Sequence, residues 1–139
     1  MDLLTPFEGA WRLARNVDDR RAGARLAFEG RAVLTRRADG ALAVEEAGRW
    51  TCGPWAGLSG SRGYLWLVAG AGIEVRFGDG RFFHRFAPAP AGEAACWHDC
   101  GADLYAGRYR FALPAEWQVV WHVSGPAKDY VMHTRHVRE

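Results

Sequence analysis

Apolar and charged side chains alternate with a period of two through most of this chain, and that restricts its fold more than any other feature. In the stretch 116–139, Trp117, Val119, Trp121 and Val123 form one unbroken apolar face. Leu26, Phe28, Gly30, Ala32 and Leu34 oppose Glu29 and Arg31. Ile73, Val75 and Phe77 oppose Glu74 and Arg76, and Tyr105, Gly107, Tyr109 and Phe111 oppose Arg108 and Arg110. A strand turns successive side chains to opposite faces, so this pattern marks antiparallel strands with one face in water. Asp39-Gly40, Gly70-Ala71-Gly72, Gly78-Asp79-Gly80 and Gly125-Pro126 punctuate the runs as tight turns. The pattern predicts strands near 7–15, 24–37, 41–47, 49–52, 62–69, 72–77, 81–86, 95–98, 103–112, 116–124 and 128–138. It gives no amphipathic helix, although residues 17–25 have room for a helical turn or two.

About ten short strands joined by hairpins leave exposed edges unless the sheet closes on itself, which favours an all-β, antiparallel up-and-down barrel. The alternative is a two-sheet sandwich, but a Greek key needs long crossings and nearly every connection here is short. Closure is expected where the last strand pairs with the strand at 7–15. Two longer connections break the rhythm: 53–63, with four glycines, and the Pro/Ala-rich 87–95. They read as flexible loops at a barrel mouth, with Trp55 placed as a lid. The glycine stretch lacks the Gly-Lys-Ser/Thr ending of a phosphate loop.

The chain has 139 residues, the length of one domain with a real core. A net charge of +2, with no like-charge block longer than two residues, gives no basic stripe for nucleic acid. The N-terminus has neither a basic leader nor a long apolar run, so a cytoplasmic protein without membrane partners is expected. Cys52, Cys96 and Cys100, an odd number in such a chain, read as free thiols.

Phe7-Glu8-Gly9-Ala10-Trp11 resembles the Gly-x-Trp opening strand of lipocalins and other calycin barrels. Asp79-Gly80-Arg81-Phe82-Phe83-His84, His98-x-Cys100-x-x-Asp103-x-Tyr105 and Gly125-Pro126-x-Lys128-Asp129-Tyr130 together resemble an uncharacterised bacterial domain-of-unknown-function family of small proteins. The resemblance spans essentially the whole chain. It implies a single calycin-like (lipocalin-like) barrel over 1–139 and carries no activity with it. Lipocalins are mostly secreted and disulfide-bonded, so their transport functions do not carry over.

With the charged faces outward, the interior receives Trp11, Phe28, Tyr64, Trp66, Phe77, Phe82, His84, Phe86, Tyr105, Tyr109, Phe111 and Trp121. Such an interior either holds a small ligand or is filled by its own rings. The candidate ligand-binding residues are Trp11, Tyr64, Trp66, His84, Tyr105, Tyr109, Trp121, Lys128 and Tyr130. His84, between Phe82 and Phe86, is open to three readings: a haem ligand, a general base, or a core imidazole bonded to a tyrosine or carbonyl. No cofactor is expected. Cys96, His98 and Cys100 carry zinc's preferred ligand atoms, but on a strand the two cysteines stand roughly 13 Å apart. That is too far for one ion or a disulfide.

Lys128, the only lysine, is either an anion-binding group near Arg135 or Arg138, or half of a structural ion pair to Asp103 or Glu8. Ser59, Ser61 and Ser124 form no nucleophile elbow, and Asp99 and Asp103 form no recognisable acid pair. The leading reading is therefore a barrel that binds a hydrophobic or aromatic small molecule. The alternatives are an enzyme acting on a bound ligand through His84 with a tyrosine or Asp103, and a filled barrel serving as a dimerisation module through Trp50 and Trp55.

Overall fold

The computed structural model describes residues 2–139. Ten antiparallel strands follow one another: β1 (Gly9–Asp19), β2 (Ala24–Arg36), β3 (Leu42–Cys52), β4 (Ser59–Ala69), β5 (Gly72–Phe77), β6 (Phe82–Phe86), β7 (Ala91–Cys100), β8 (Asp103–Ala112), β9 (Glu116–Gly125) and β10 (Lys128–Arg138). They form one sheet in the order β6-β5-β4-β3-β2-β1-β10-β9-β8-β7. The first and last strands pair as the alternation predicts, from Trp11 opposite Arg138 to Asp19 opposite Tyr130. The sheet curls until its two edges, β6 and β7, face each other across a seam without a hydrogen-bonded ladder. The barrel is thus nearly closed, and its seam lies between two strands adjacent in sequence.

Several element boundaries differ from the sequence expectation. The segments at 41–47 and 49–52 are one strand, β3, because Gly48 continues the ladder opposite Gly30 instead of breaking it. The glycine-rich connection is strand from Ser59 onward, with Gly60 paired to Gly48. The Pro/Ala-rich connection becomes strand at Ala91, paired to Ala112. Residues 17–19, expected to have helical room, extend β1 opposite Leu26, Arg25 and Ala24. In each case an available partner strand outweighs a weak local propensity.

One inward assignment is corrected. The register of β6 against β5 slips between Val75 and Arg76, so Val75 faces His84 while Arg76 faces Phe82. This bulge leaves Phe83 unpaired in the ladder and turns it inward, while Phe82 is 52 % exposed at the rim. Phe83 stacks on Phe77 (centroids 4.6 Å apart, 14° between planes) and on Trp121 (5.2 Å, 18°).

One end of the barrel is plugged by a 3-10 turn at Thr5–Phe7. The fully buried Phe7 ring meets Trp66, Phe86, Phe111 and Trp117 edge to face. Trp11 belongs to this plug, its indole N–H donating to the Phe7 carbonyl at 2.9 Å. Arg138 fastens the plug: its guanidinium lies 4.0 Å over Trp11 and donates to the carbonyls of Pro6, Glu8 and Pro114. The opposite end, where β4 and β8 begin and β5, β7 and β9 end, is the mouth.

Candidate ligand-binding cavity

Between plug and mouth the barrel encloses a cavity of about 360 Å³, inside the roughly 300–1,000 Å³ range of small-molecule sites. Of the residues expected from the sequence, Tyr64, Trp66, His84, Tyr105, Tyr109, Trp121 and Tyr130 line it. Trp11 lies beneath the floor, in the plug. Lys128 stands at the rim, paired with Asp103 at 3.1 Å and donating to the Tyr105 hydroxyl at 3.2 Å. Arg135 and Arg138 take no part there, since Arg135 pairs with Glu116 across the outer face.

The walls also include polar residues that the expectation of outward charges missed: Arg15, Glu46, Arg62, His98, Thr134 and His136. Strand parity is the signal that places them. Arg15 continues the inward row Trp11, Leu13; Glu46 continues Leu42, Val44; His136 continues Met132, Thr134. Arg15 donates from Nη2 to Glu46 at 2.8 Å and from Nε to Thr134 Oγ1 at 2.8 Å. Both members of this ion pair are buried.

Two histidines give the cavity its chemistry. His84 Nε2 lies 2.7 Å from the Tyr109 hydroxyl. Burial, with a smaller push from His98, holds the His84 pKa down to about 3, and burial raises the Tyr109 phenol well above its usual value. Both are therefore neutral near pH 7. The arrangement that strands fewest groups has Tyr109 donating to Nε2, which leaves Nδ1 of His84 as a proton-bearing donor with no protein partner. His136 lies flat on Trp117, with centroids 3.5 Å apart and 6° between planes. Burial first, then the nearby Arg15 cation, pushes its pKa down to about 3. Among the described residues neither of its ring nitrogens makes a well-aligned hydrogen bond, nor does Nε1 of Trp117, although the Trp117 backbone lies close enough to oppose part of that downward shift. Buried polar atoms are seldom left unpaired. Here they sit in the wall of an aromatic cavity with almost no surface of their own exposed, so a ligand would meet them only after a small turn of the rings.

These histidines also fix a pH response. In the unfolded chain each protonates below about pH 6.5, whereas in the fold each stays neutral down to about pH 3. The unfolded state thus binds more protons, and stability is expected to fall as pH drops from about 6.5, above the carboxylate range. His136→Phe keeps the stack on Trp117 and should reduce that slope by nearly one proton in denaturant titrations between pH 6.5 and 4.5. An unchanged slope would mean that His136 is not buried neutral.

All three cysteines are free thiols. Cys96 is buried behind Trp121, where burial pushes its thiol up to about 12; a thiol held in that form is a poor metal ligand. Cys100 lies at the mouth. Trp50, expected to be exposed, is half-buried between Phe28 and Trp55, each 5.2 Å away, whereas Trp55 remains 51 % exposed.

Two solved structures share this architecture. The S-type phycobiliprotein lyase CpeS from Guillardia theta superposes with a TM-score of 0.71 at 12 % identity, over 98 % of this chain and 90 % of that one. A protein of unknown function from the DUF3598 family of Nostoc punctiforme superposes with a TM-score of 0.69 at 9 % identity. All of this chain is covered there but only 50 % of the other, so this chain spans half the length of that protein. At such identities the likeness is one of fold. No curated protein matches the sequence. The model of the family of unknown function DUF6314 matches residues 7–138, and the chain belongs to that family.

Proposed function

We propose that the protein binds a flat aromatic small molecule inside the barrel. The observation that carries this reading is the cavity of about 360 Å³ walled by aromatic rings, with His84 and its unpartnered Nδ1 among them. A ring system with a hydrogen-bonding edge would stack against Phe83 and Trp121 while pairing with that nitrogen. The phycobiliprotein lyase with the same fold supports the architecture; the ligand class rests on the cavity itself. His84 and Tyr109 are held neutral and far from titrating near pH 7. That suits hydrogen bonding better than general acid–base chemistry, which works best with a pKa near the operating pH.

The test is a titration with methyl naphthyl ketone, an uncharged bicyclic probe, followed by tryptophan fluorescence. Saturable quenching is expected. Val119→Phe, which adds a ring to the cavity wall, should weaken binding about tenfold or more without lowering the melting temperature, since the ring enters free space. Absence of saturable quenching, or equal binding by Val119→Phe, would remove the proposal.

A further inference from the structure

Among the side chains that line the cavity one cation has no carboxylate partner, and that cation says what else the ligand carries. Four cationic side chains lie in or at the rim of the cavity: Arg15, Arg62, Arg81 and Lys128. Three have carboxylate partners: Arg15 with Glu46 at 2.8 Å, Arg81 with Asp79 at 2.7 Å and Lys128 with Asp103 at 3.1 Å. Among the described residues Arg62 has none. Its position explains why. Glu46 is its direct neighbour across the β3–β4 ladder, but the Glu46 carboxylate is drawn to the buried Arg15.

The hydroxyls beside it are biased the same way. Arg62 donates to the Tyr64 oxygen at 3.4 Å and Lys128 donates to the Tyr105 oxygen at 3.2 Å. An oxygen that accepts from a cation leaves its own O–H to be donated elsewhere. The mouth therefore offers one guanidinium without a carboxylate partner and two phenol donors, on side chains that stay partly open to water.

On the reading of the cavity as a ligand site, we infer that the ligand is an aromatic anion: its ring system lies among Phe83, Trp121 and the two histidines, and a carboxylate or similar group is held at the mouth by Arg62, Tyr64 and Tyr105. The guanidinium can grip a carboxylate with two parallel N–H bonds, the geometry in which Arg outperforms Lys. The uncharged end of the molecule goes inward, because among the described residues the deep cavity has no free cation to meet a negative group: Arg15 is already held by Glu46 and Thr134.

The experiment compares naphthoate with methyl naphthyl ketone, which has nearly the same size and no charge, on the wild type, Arg62→Gln and Arg62→Lys. The wild type is expected to bind naphthoate about tenfold tighter than the ketone. Arg62→Gln should bring the two to similar affinity by weakening naphthoate alone, and Arg62→Lys should restore part of the preference. Added salt should weaken naphthoate and leave the ketone unchanged. If the ketone binds but the preference is absent, or survives in Arg62→Gln, the anion inference falls and the cavity reading stands. If neither probe binds, both fall together.

Discussion

Glu46→Ala is expected to destabilise the fold by about 3–5 kcal/mol. Glu46 and Arg15 lie inside the barrel wall with 9 % and 5 % of their side-chain surfaces exposed. Removing the carboxylate leaves a guanidinium that keeps its bond to Thr134 and its place over the Phe28 ring, 5.7 Å away, but has no counter-charge. Arg15→Leu should cost less, because the freed carboxylate can turn to Arg62, its neighbour across the β3–β4 ladder. Replacing both at once, Arg15→Leu with Glu46→Ala, should cost less than Glu46→Ala alone, because no charge is then left buried without its partner. The attraction between two buried charges roughly offsets the cost of taking both out of water, so the pair as a whole adds little. Denaturant unfolding of the four proteins gives the coupling directly. A cost under about 1 kcal/mol for Glu46→Ala would show instead that water from the cavity reaches and screens Arg15.

A pair that adds little stability but is costly to break is better understood through what it does to its surroundings. It separates the main cavity from a smaller chamber of about 200 Å³ bounded by Phe28, Trp50, Gly60 and Ser61. It also occupies the carboxylate that would otherwise neutralise Arg62. The uncompensated charge at the mouth and the buried pair in the wall are two sides of one arrangement.

Period-two alternation made the barrel, its strand order and the pairing of its two terminal strands legible in the sequence. It also placed most of the aromatic lining, because Tyr64, Trp66, Tyr109 and Trp121 obey the rule that apolar side chains face in. The same rule concealed Arg15, Glu46, Arg62 and His136. Reading charge as a mark of the outer face discards the positions where a charged residue falls on the inner parity, and those are the positions that give this cavity its chemistry. Phe82 and Phe83 were exchanged for a different reason: a one-residue bulge reverses facing, and nothing in two adjacent phenylalanines shows which one it will turn inward. Lys128 stood out for its rarity, yet its geometry is that of an ion pair at the rim. The lone lysine was a feature of composition and the unpaired arginine a feature of register, which only the fold shows.

The second large effect is expected from Gly30→Ala, which should cost about 3 kcal/mol or more. Gly30 and Gly48 face each other where β2 and β3 cross. A Cβ on Gly30 would enter the carbonyl of Ala47, and one on Gly48 would meet the carbonyl of Glu29 and, 2.8 Å away, the Phe28 ring. Both obstacles include backbone, which cannot swing aside as a side-chain tip can. The missing Cβ at Gly48 leaves room for the Phe28 ring, which lies edge to face with Trp50 at 5.2 Å beside the smaller chamber. Gly63→Ala on β4 is the matched control, because a Cβ there meets only the Val44 carbonyl at an ordinary 3.8 Å. That change should be neutral or slightly stabilising, since alanine restricts the unfolded chain more than glycine. If Gly30→Ala and Gly63→Ala unfold at the same denaturant concentration, the two strands do not cross at this distance in solution. If they separate as expected, the glycine pair rather than the alternation around it gives this part of the mouth its shape.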